Sequence, residues 1–316
     1  MNTPKYAISS RPAGYIKDDD FIPTIVEGKP PKFGGHVKLY RVKALRSFTL
    51  NDGATAVAEG ELGGLVEKPE NLSQEGSCWV GPHSAAVGNS RVEGGAAVID
   101  GGIVYGDAVV AGETDVVRGY VGGKARLLGT GLISNGSRVD GDVLVEPGGH
   151  LGLDECSCAF GEFKVFKGGF ASGRGHSEFG GYAKVRGSAF LEPNSSLFAW
   201  AEVAEGAILE GGNIHVGGHA RVVKSTELQP GSYVVDGDIS SNMDTFPFPV
   251  PLGDARCPYW RTATYNRLDG SFHLNDEPRA ITPAKLKEKV ADCPYAGLAR
   301  TIIDYLANAD EMGVRG

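Results

Sequence analysis

The sequence predicts a parallel β-helix, a solenoid of short stacked strands, and three observations carry that expectation. The first is a period of six. From Val80 every sixth residue is apolar, in the order Val80, Ala86, Val92, Val98, Val104, Val110 and Val116. Four places after each comes a second series, small at Ser84, Ser90, Ala96, Gly102, Ala108 and Thr114 and ending on Tyr120. The second is persistence. After a one-residue slip the apolar series resumes as Leu127, Ile133, Val139, Val145 and Leu151. It returns as Val185, Leu191, Leu197, Val203 and Leu209, then as Val216, Val222, Leu228 and Val234. The third is composition: 47 of the 316 residues are glycine, about twice normal usage. They keep no three-residue period, so collagen is excluded, and the plentiful Val, Leu and Ile argue against disorder.

Six residues make a short strand and a corner, and three such units close a triangular coil of about 18 residues. The branched residue of each hexad points inward, where stacked copies bury one another. The small residue sits near a corner, where a larger side chain would strike the chain above. Glycine and asparagine supply the tight turns. A helix is excluded because period six sets successive members about 240° apart around its axis. The strict period and short strands also disfavour a β-sandwich.

Residues 1–37 are rich in Pro and Gly and read as an extended arm with little core of its own, either a free tail or a strip along a neighbouring subunit. Residues 38–76 are expected to form a β cap, because an uncovered first coil would present unpaired strand edges. Residues 77–240 are the repeat body. In 241–316, Phe246-Pro247-Phe248-Pro249-Val250-Pro251 reads as a stiff linker. Beyond it a hairpin turns at Asp269-Gly270, and a helix starts at Thr282-Pro283. A second helix, about 295–308, carries Leu298, Ile302 and Leu306 on one stripe. This segment is too small to stand alone with ease and is read as a C-terminal cap.

Hexads such as Val92-Glu93-Gly94-Gly95-Ala96-Ala97 resemble the hexapeptide repeat of left-handed β-helices, and the handedness comes from that resemblance alone. A second resemblance rests on Tyr40-Arg41, Ala44-Leu45-Arg46, Leu62-Gly63-Gly64, Asn71-Leu72-Ser73, Gly76 and Cys78-Trp79-Val80. Together these resemble the N-terminal cap and first coils of YdcK-like hexapeptide-repeat proteins of bacterial and phage type, over roughly 38–240. The family cap usually reads Gly-Gly-Trp-Val, whereas Leu65 stands here in place of the Trp. The resemblance implies the fold and a trimer-prone body, and no established activity.

The net charge of −8 argues against a broad nucleic-acid or anionic-membrane footprint. No apolar run is long enough to span a bilayer, and no signal peptide is legible at the start of this sequence. The five cysteines are odd in number and scattered, which points to cytoplasmic synthesis without a disulfide framework. The expected function is a non-enzymatic, homotrimeric structural or binding module of phage or prophage type. It would be either a virion component beside phage structural proteins or an intracellular binder of a small ligand in the groove between subunits.

The alternative is an acyltransferase using acetyl-CoA or another acyl-CoA, with a coil histidine as general base. His150, His176, His215 and His219 are the candidates. The stretch around Phe160, Phe163, Phe166, Phe170 and His176 is the least regular of the body. Its aromatics are read first as filling for an enlarged interior and second as a ligand pocket. Cys158 and His176 are too few for zinc, so no metal is expected; nor is a cofactor in the non-enzymatic reading.

Overall fold

The computed structural model describes residues 4–17, 24–28, 36–174, 177–187, 190–191, 195–209, 214–224, 226–228, 232–234, 238–240, 245–252, 259–266, 270–274, 280–291 and 296–308. The body is a parallel β-solenoid of about nine turns, with three faces visited in rotation. The first face begins with Trp79–Val80, the second with Ala85–Ala86 and the third with Arg91–Val92. Each strand pairs in parallel with its counterpart one turn on: Val80 with Val98, Ala86 with Val104, Val92 with Val110. Among the described residues the first and third faces are nine-stranded sheets, and the second merges with the cap into a sheet of fourteen.

The inward series is the core. Every apolar member of the period-six series, from Val80 to Val234, is buried, within one continuous cluster. The small second series is buried at the corners, and its serines find backbone partners: Ser90 Oγ donates to the Val104 carbonyl at 3.2 Å. Gly112 shows why the corners need glycine. Its φ is 65°, and a Cβ there would stand 2.1 Å from the Gly129 carbonyl oxygen of the next turn.

The structure corrects the phase of the series at two places. Tyr120 does not continue the small series: it lies beside Ile103 on the outer surface, and Val121 turns inward. The irregular stretch is not a break but a widening. First-face strands Glu113–Val117, Thr130–Ser134, His150–Leu153 and Phe170–Gly173 are longer than the rest and carry two inward positions each. One column runs Val80, Val98, Val116, Ile133, Leu153, Gly173; the other runs Thr114, Gly131, Leu151, Ala171, Leu191, Leu209, Leu228. The series therefore passes through Leu153, Ala159, Val165, Ala171 and Phe179 without interruption.

Widened turns enclose more space, and aromatics fill it. Phe163 occupies a corner position held by Val143 and Ala183 in the turns on either side, and its ring lies 5.4 Å from that of Phe179 at 23°. Both are fully buried.

At the start of the chain β1 (Tyr6–Ile8), β2 (Gly14–Lys17) and β3 (Thr24–Glu27) fold onto β4 (His36–Ala44). β1 and β2 both pair antiparallel with β4, and β3 with β2. The described part of the arm is thus extended but paired within its own chain, because Tyr6, Ile16 and the Lys5 stem supply buried surface. β4 pairs antiparallel with Leu62–Val66, which joins the second face at Ala85–Ala86. Leu65 is fully buried among Ile16, Leu39 and Ala85. β2 closes over it so tightly that a Cβ on Gly14 would stand 2.5 Å from its Cδ1.

At the other end, residues 246–251 are not a linker. Thr245–Leu252 is a strand, paired antiparallel with Tyr259–Asn266, which pairs with Ser271–Leu274. Pro247, Pro249 and Pro251 share one parity on this edge strand, so all three can direct their donorless nitrogens away from the partner. Asp269 lies outside the described residues; Gly270 forms the turn at φ 68°. α1 (Pro283–Lys289) is capped by the Thr282 hydroxyl, which accepts from the Lys285 N–H at 3.3 Å. α2 (Ala296–Asn308) buries Ala299 and Ile303, with Ile302 and Leu306 packed beside them, while Leu298 is exposed. The buried stripe is rotated one residue from the expected one. This segment has its own core, and its last two strands lie against Tyr233–Val234 of the final coil.

Candidate functional site

The solenoid sends alternate residues of each strand outward, so residues about 18 to 20 apart in sequence become neighbours in a column along the axis. On the first face this brings Thr130, His150 and Phe170 together. The His150 and Phe170 rings stack at 4.3 Å and 6°, and His150 Nδ1 lies 3.0 Å from Thr130 Oγ1. If Nδ1 carries the proton it donates to Thr130, whose own hydroxyl reaches the Gly149 carbonyl at 3.5 Å. Nε2 is then the free base, placed over Gly152. Burial lowers the His150 pKa from its ordinary 6.5, favouring the neutral ring.

Beside His150 runs an open groove of about 690 Å³, lined by Leu132, Gly152, Leu153, Asp154, Ser172, Gly173 and Arg174. Asp154 is held ionised: it accepts from Asn135 Nδ2 at 2.6 Å and from Ser134 Oγ at 2.9 Å, and these bonds keep its pKa low. Arg174 reaches Glu155 at 3.4 Å and Asp154 at 3.9 Å. The groove thus joins a neutral imidazole, an apolar wall and a fixed ion pair. A depression of similar size beside the cap, at Lys68, Glu70, Asn89 and Arg91, has charged walls without a histidine.

The remaining sequence candidates do not converge here. Phe163 is interior. Phe166 lies beneath the Arg186 guanidinium, 3.9 Å from its ring centre. His215 stands on the second face, with a pKa lowered by burial and partly restored by Glu178. Phe160 and His219 stand on the corner between the second and third faces. His176 lies outside the described residues. Among the described residues no group of three or more His, Cys, Asp or Glu side chains could hold a metal ion.

That corner carries a feature that sequence reasoning missed. Each described turn crosses it with three residues whose middle member is left-handed: Gly88, Gly106, Gly123, Gly141, Gly161, Gly181, then Ala199 at φ 58°, then Gly218. The flanking positions are aromatic at Tyr105, which lies over Gly122, and again from Phe160 onward. Phe160 lies over Gly180 and Phe198 over Gly217, in each case within 2.5 Å of where a Cβ would be. Beside them Tyr182, Trp200 and His219 form a ladder, with rings 5.5 Å apart at 3° and 5.0 Å apart at 8°. Phe160, Tyr182 and Trp200 are exposed. Writing the sequence one coil per line would have aligned Phe160-Gly161-Glu162, Gly180-Gly181-Tyr182, Phe198-Ala199-Trp200 and Gly217-Gly218-His219.

The fold and these surfaces define a class, the parallel β-solenoid repeat proteins. No protein-family model and no curated protein matches the chain. No described helix is long and apolar enough to cross a membrane.

Proposed function

We propose that this chain is a non-enzymatic β-helix module of phage or prophage type that assembles as a homotrimer and serves a structural or binding role. The observation that carries the reading is the aromatic ridge. Exposed apolar surface gathered in one strip marks an interaction site, and aromatic side chains are the commonest anchors of protein interfaces. Backbone hydrogen bonds in every turn hold this strip rigid, so little order is lost when a partner covers it. A second copy of the chain is the occupant proposed, since a body of three faces can close around a threefold axis.

Light scattering on the full chain at micromolar concentration tests the proposal. A trimer that dissociates in Trp200→Glu is the expected result; a wild-type monomer would overturn it. The phage assignment rests on the resemblance of the cap and first coils, and mass spectrometry of purified virions tests it.

The His150 groove favours one second reading, an acyl-CoA-dependent acyltransferase with His150 as general base. Its support is a neutral imidazole whose Nε2 is free to face the groove while Thr130 holds Nδ1. Saturable binding and turnover of acetyl-CoA, abolished by His150→Ala, would establish it in place of the non-enzymatic reading.

A further inference from the structure

The N-terminal seal contains a buried amine and a buried thiol in contact, and neither function above uses them. Lys5 reaches across 73 residues of sequence into the turn that opens the first coil. Its side chain is only 1% exposed, and Cys78 is fully buried. Nζ lies 3.1 Å from Cys78 Sγ, with the carbonyl oxygens of Cys78, Glu75 and Gly76 at 3.0, 3.1 and 3.3 Å. The Phe48 ring covers the site, 5.6 Å from Nζ. The backbone is pinned as well: Gln74 Oε1 accepts from the Lys5 and Tyr6 N–H groups, and the Tyr6 hydroxyl donates to the Pro69 and Leu72 carbonyls.

Three carbonyls around an ammonium would be an ordinary lysine staple. The fourth neighbour is different in kind, because a thiol is oxidisable and an amine is the nucleophile beside it. The two are held by anchors on both sides, so the encounter is already made and costs no further loop closure. Desolvation, the largest influence on each group, lowers the pKa of Lys5 and raises that of Cys78, favouring a neutral amine beside a neutral thiol.

We propose that Lys5 and Cys78 are a modification site, joined by oxidation into an Nζ–O–Sγ bridge that latches the first strand to the first coil. The oxidant is dioxygen. Of the three hydrogens on the amine and thiol, two leave with one oxygen atom as water and one remains on nitrogen. The other oxygen forms the new N–O and O–S bonds. Nitrogen and sulfur each lose two electrons, four together, which is what dioxygen takes up. A single bridging oxygen spans the gap between Nζ and Sγ with little movement, whereas a direct S–N bond would require a larger approach. Cys156, exposed on the solenoid, and the half-exposed Cys158 have no comparable amine contact among the described residues and act as internal controls.

The test uses the full-length protein, purified without reductant and held in air, then digested and mapped by mass spectrometry before and after dithiothreitol. The expected product joins the peptide of Lys5 to that of Cys78, heavier by one oxygen and lighter by two hydrogens than their sum, and falls apart on reduction. Amide exchange over 4–17 should be slower in the oxidised protein and recover its rate with dithiothreitol. Cys78→Ser, close in size, and Lys5→Met should both lack the joined peptide. Free Lys5 and Cys78 peptides in air-exposed wild type, with oxidation confined to Cys156 and Cys158, would overturn the proposal. So would a joined peptide with no change in exchange over 4–17, because the bridge would then latch nothing.

Discussion

An interior position of this solenoid has no water and neighbours above and below of its own kind. Val98, Val104 and Leu197 are fully buried in such columns. Aspartate at any of them would place an unpaired charge there, at a cost of about 3 kcal/mol or more. Val104→Asp should therefore unfold or precipitate the protein. Glu93→Ala, which removes only a partly exposed partner of Arg91, should move stability by about 0.5 kcal/mol or less. Denaturant titration of the two variants checks the contrast, and equal tolerance would show the inward column to be misassigned.

The histidines make a second residue-scale prediction. His150 and His215 both have pKa values lowered from 6.5 by burial. Below that pH the unfolded chain takes up protons that the folded chain refuses. Stability therefore falls as pH drops through the unfolded value and levels off below the folded ones. Acidification from pH 7 to pH 5 should lower Tm more in wild type than in His150→Gln/His215→Gln, measured in parallel. An unchanged difference would mean that neither histidine is desolvated.

At the scale of the element, the informative units are the corner and the widened turn. Ala199 is left-handed where seven other described turns place glycine, a conformation that costs a residue with a Cβ about 1 kcal/mol. Ala199→Gly should stabilise the protein by about that amount, unless the freed ridge loses the packing of Phe198 and Trp200. Calorimetry gives the sign. Phe163→Ala should be costly, about 3–5 kcal/mol. The turn around it is widened, as are those on either side, and cannot collapse onto an alanine as an ordinary turn would. These features explain what was legible. Inward residues repeat at a fixed spacing because each must fill the same hole, so Val80 to Leu151 could be read by counting. The continuation through Leu153 and Ala171 was hidden, because two added residues on one face shift the count without changing the geometry. The aromatic ridge was hidden for another reason: its members are far apart in sequence and meet only once the coil length is known.

For the whole molecule, the two ends decide whether the solenoid stays finite. The N-terminal end is closed by five strands: Leu62–Val66 joins the second face in parallel, and β1 to β4 continue from it in antiparallel pairing. The Phe48–Thr49 and Ala56–Val57 hairpin sets Phe48 edge-on against Trp79 at 5.5 Å. The C-terminal end is met by Tyr259–Asn266 and Ser271–Leu274, which lie against the last strand of the second face. Truncation after Ser241 should expose that coil and give filaments or aggregates. The segment's separate core makes the opposite result meaningful. A soluble truncated particle with unchanged Tm in size-exclusion and melting experiments would make residues 245–316 a tethered head instead of a cap.

The sequence by itself determined the class of fold, the identity of the interior residues over most of the body, the helix start at Thr282-Pro283 and the need for closure at both ends. All of these follow from local rules: a repeated spacing, a capping side chain, an edge that must be covered. Only the tertiary structure decided that the proline run is an edge strand, that the irregular turns are wider and not broken, and that the phenylalanines divide between interior and surface. It also decided which distant residues meet: His150 with Phe170, Tyr182 with Trp200 and His219, and Lys5 with Cys78. The physical reason is the same in each case. Contacts along the solenoid axis depend on the length of every intervening turn, and one or two inserted residues, invisible as chemistry, decide which side chains stack.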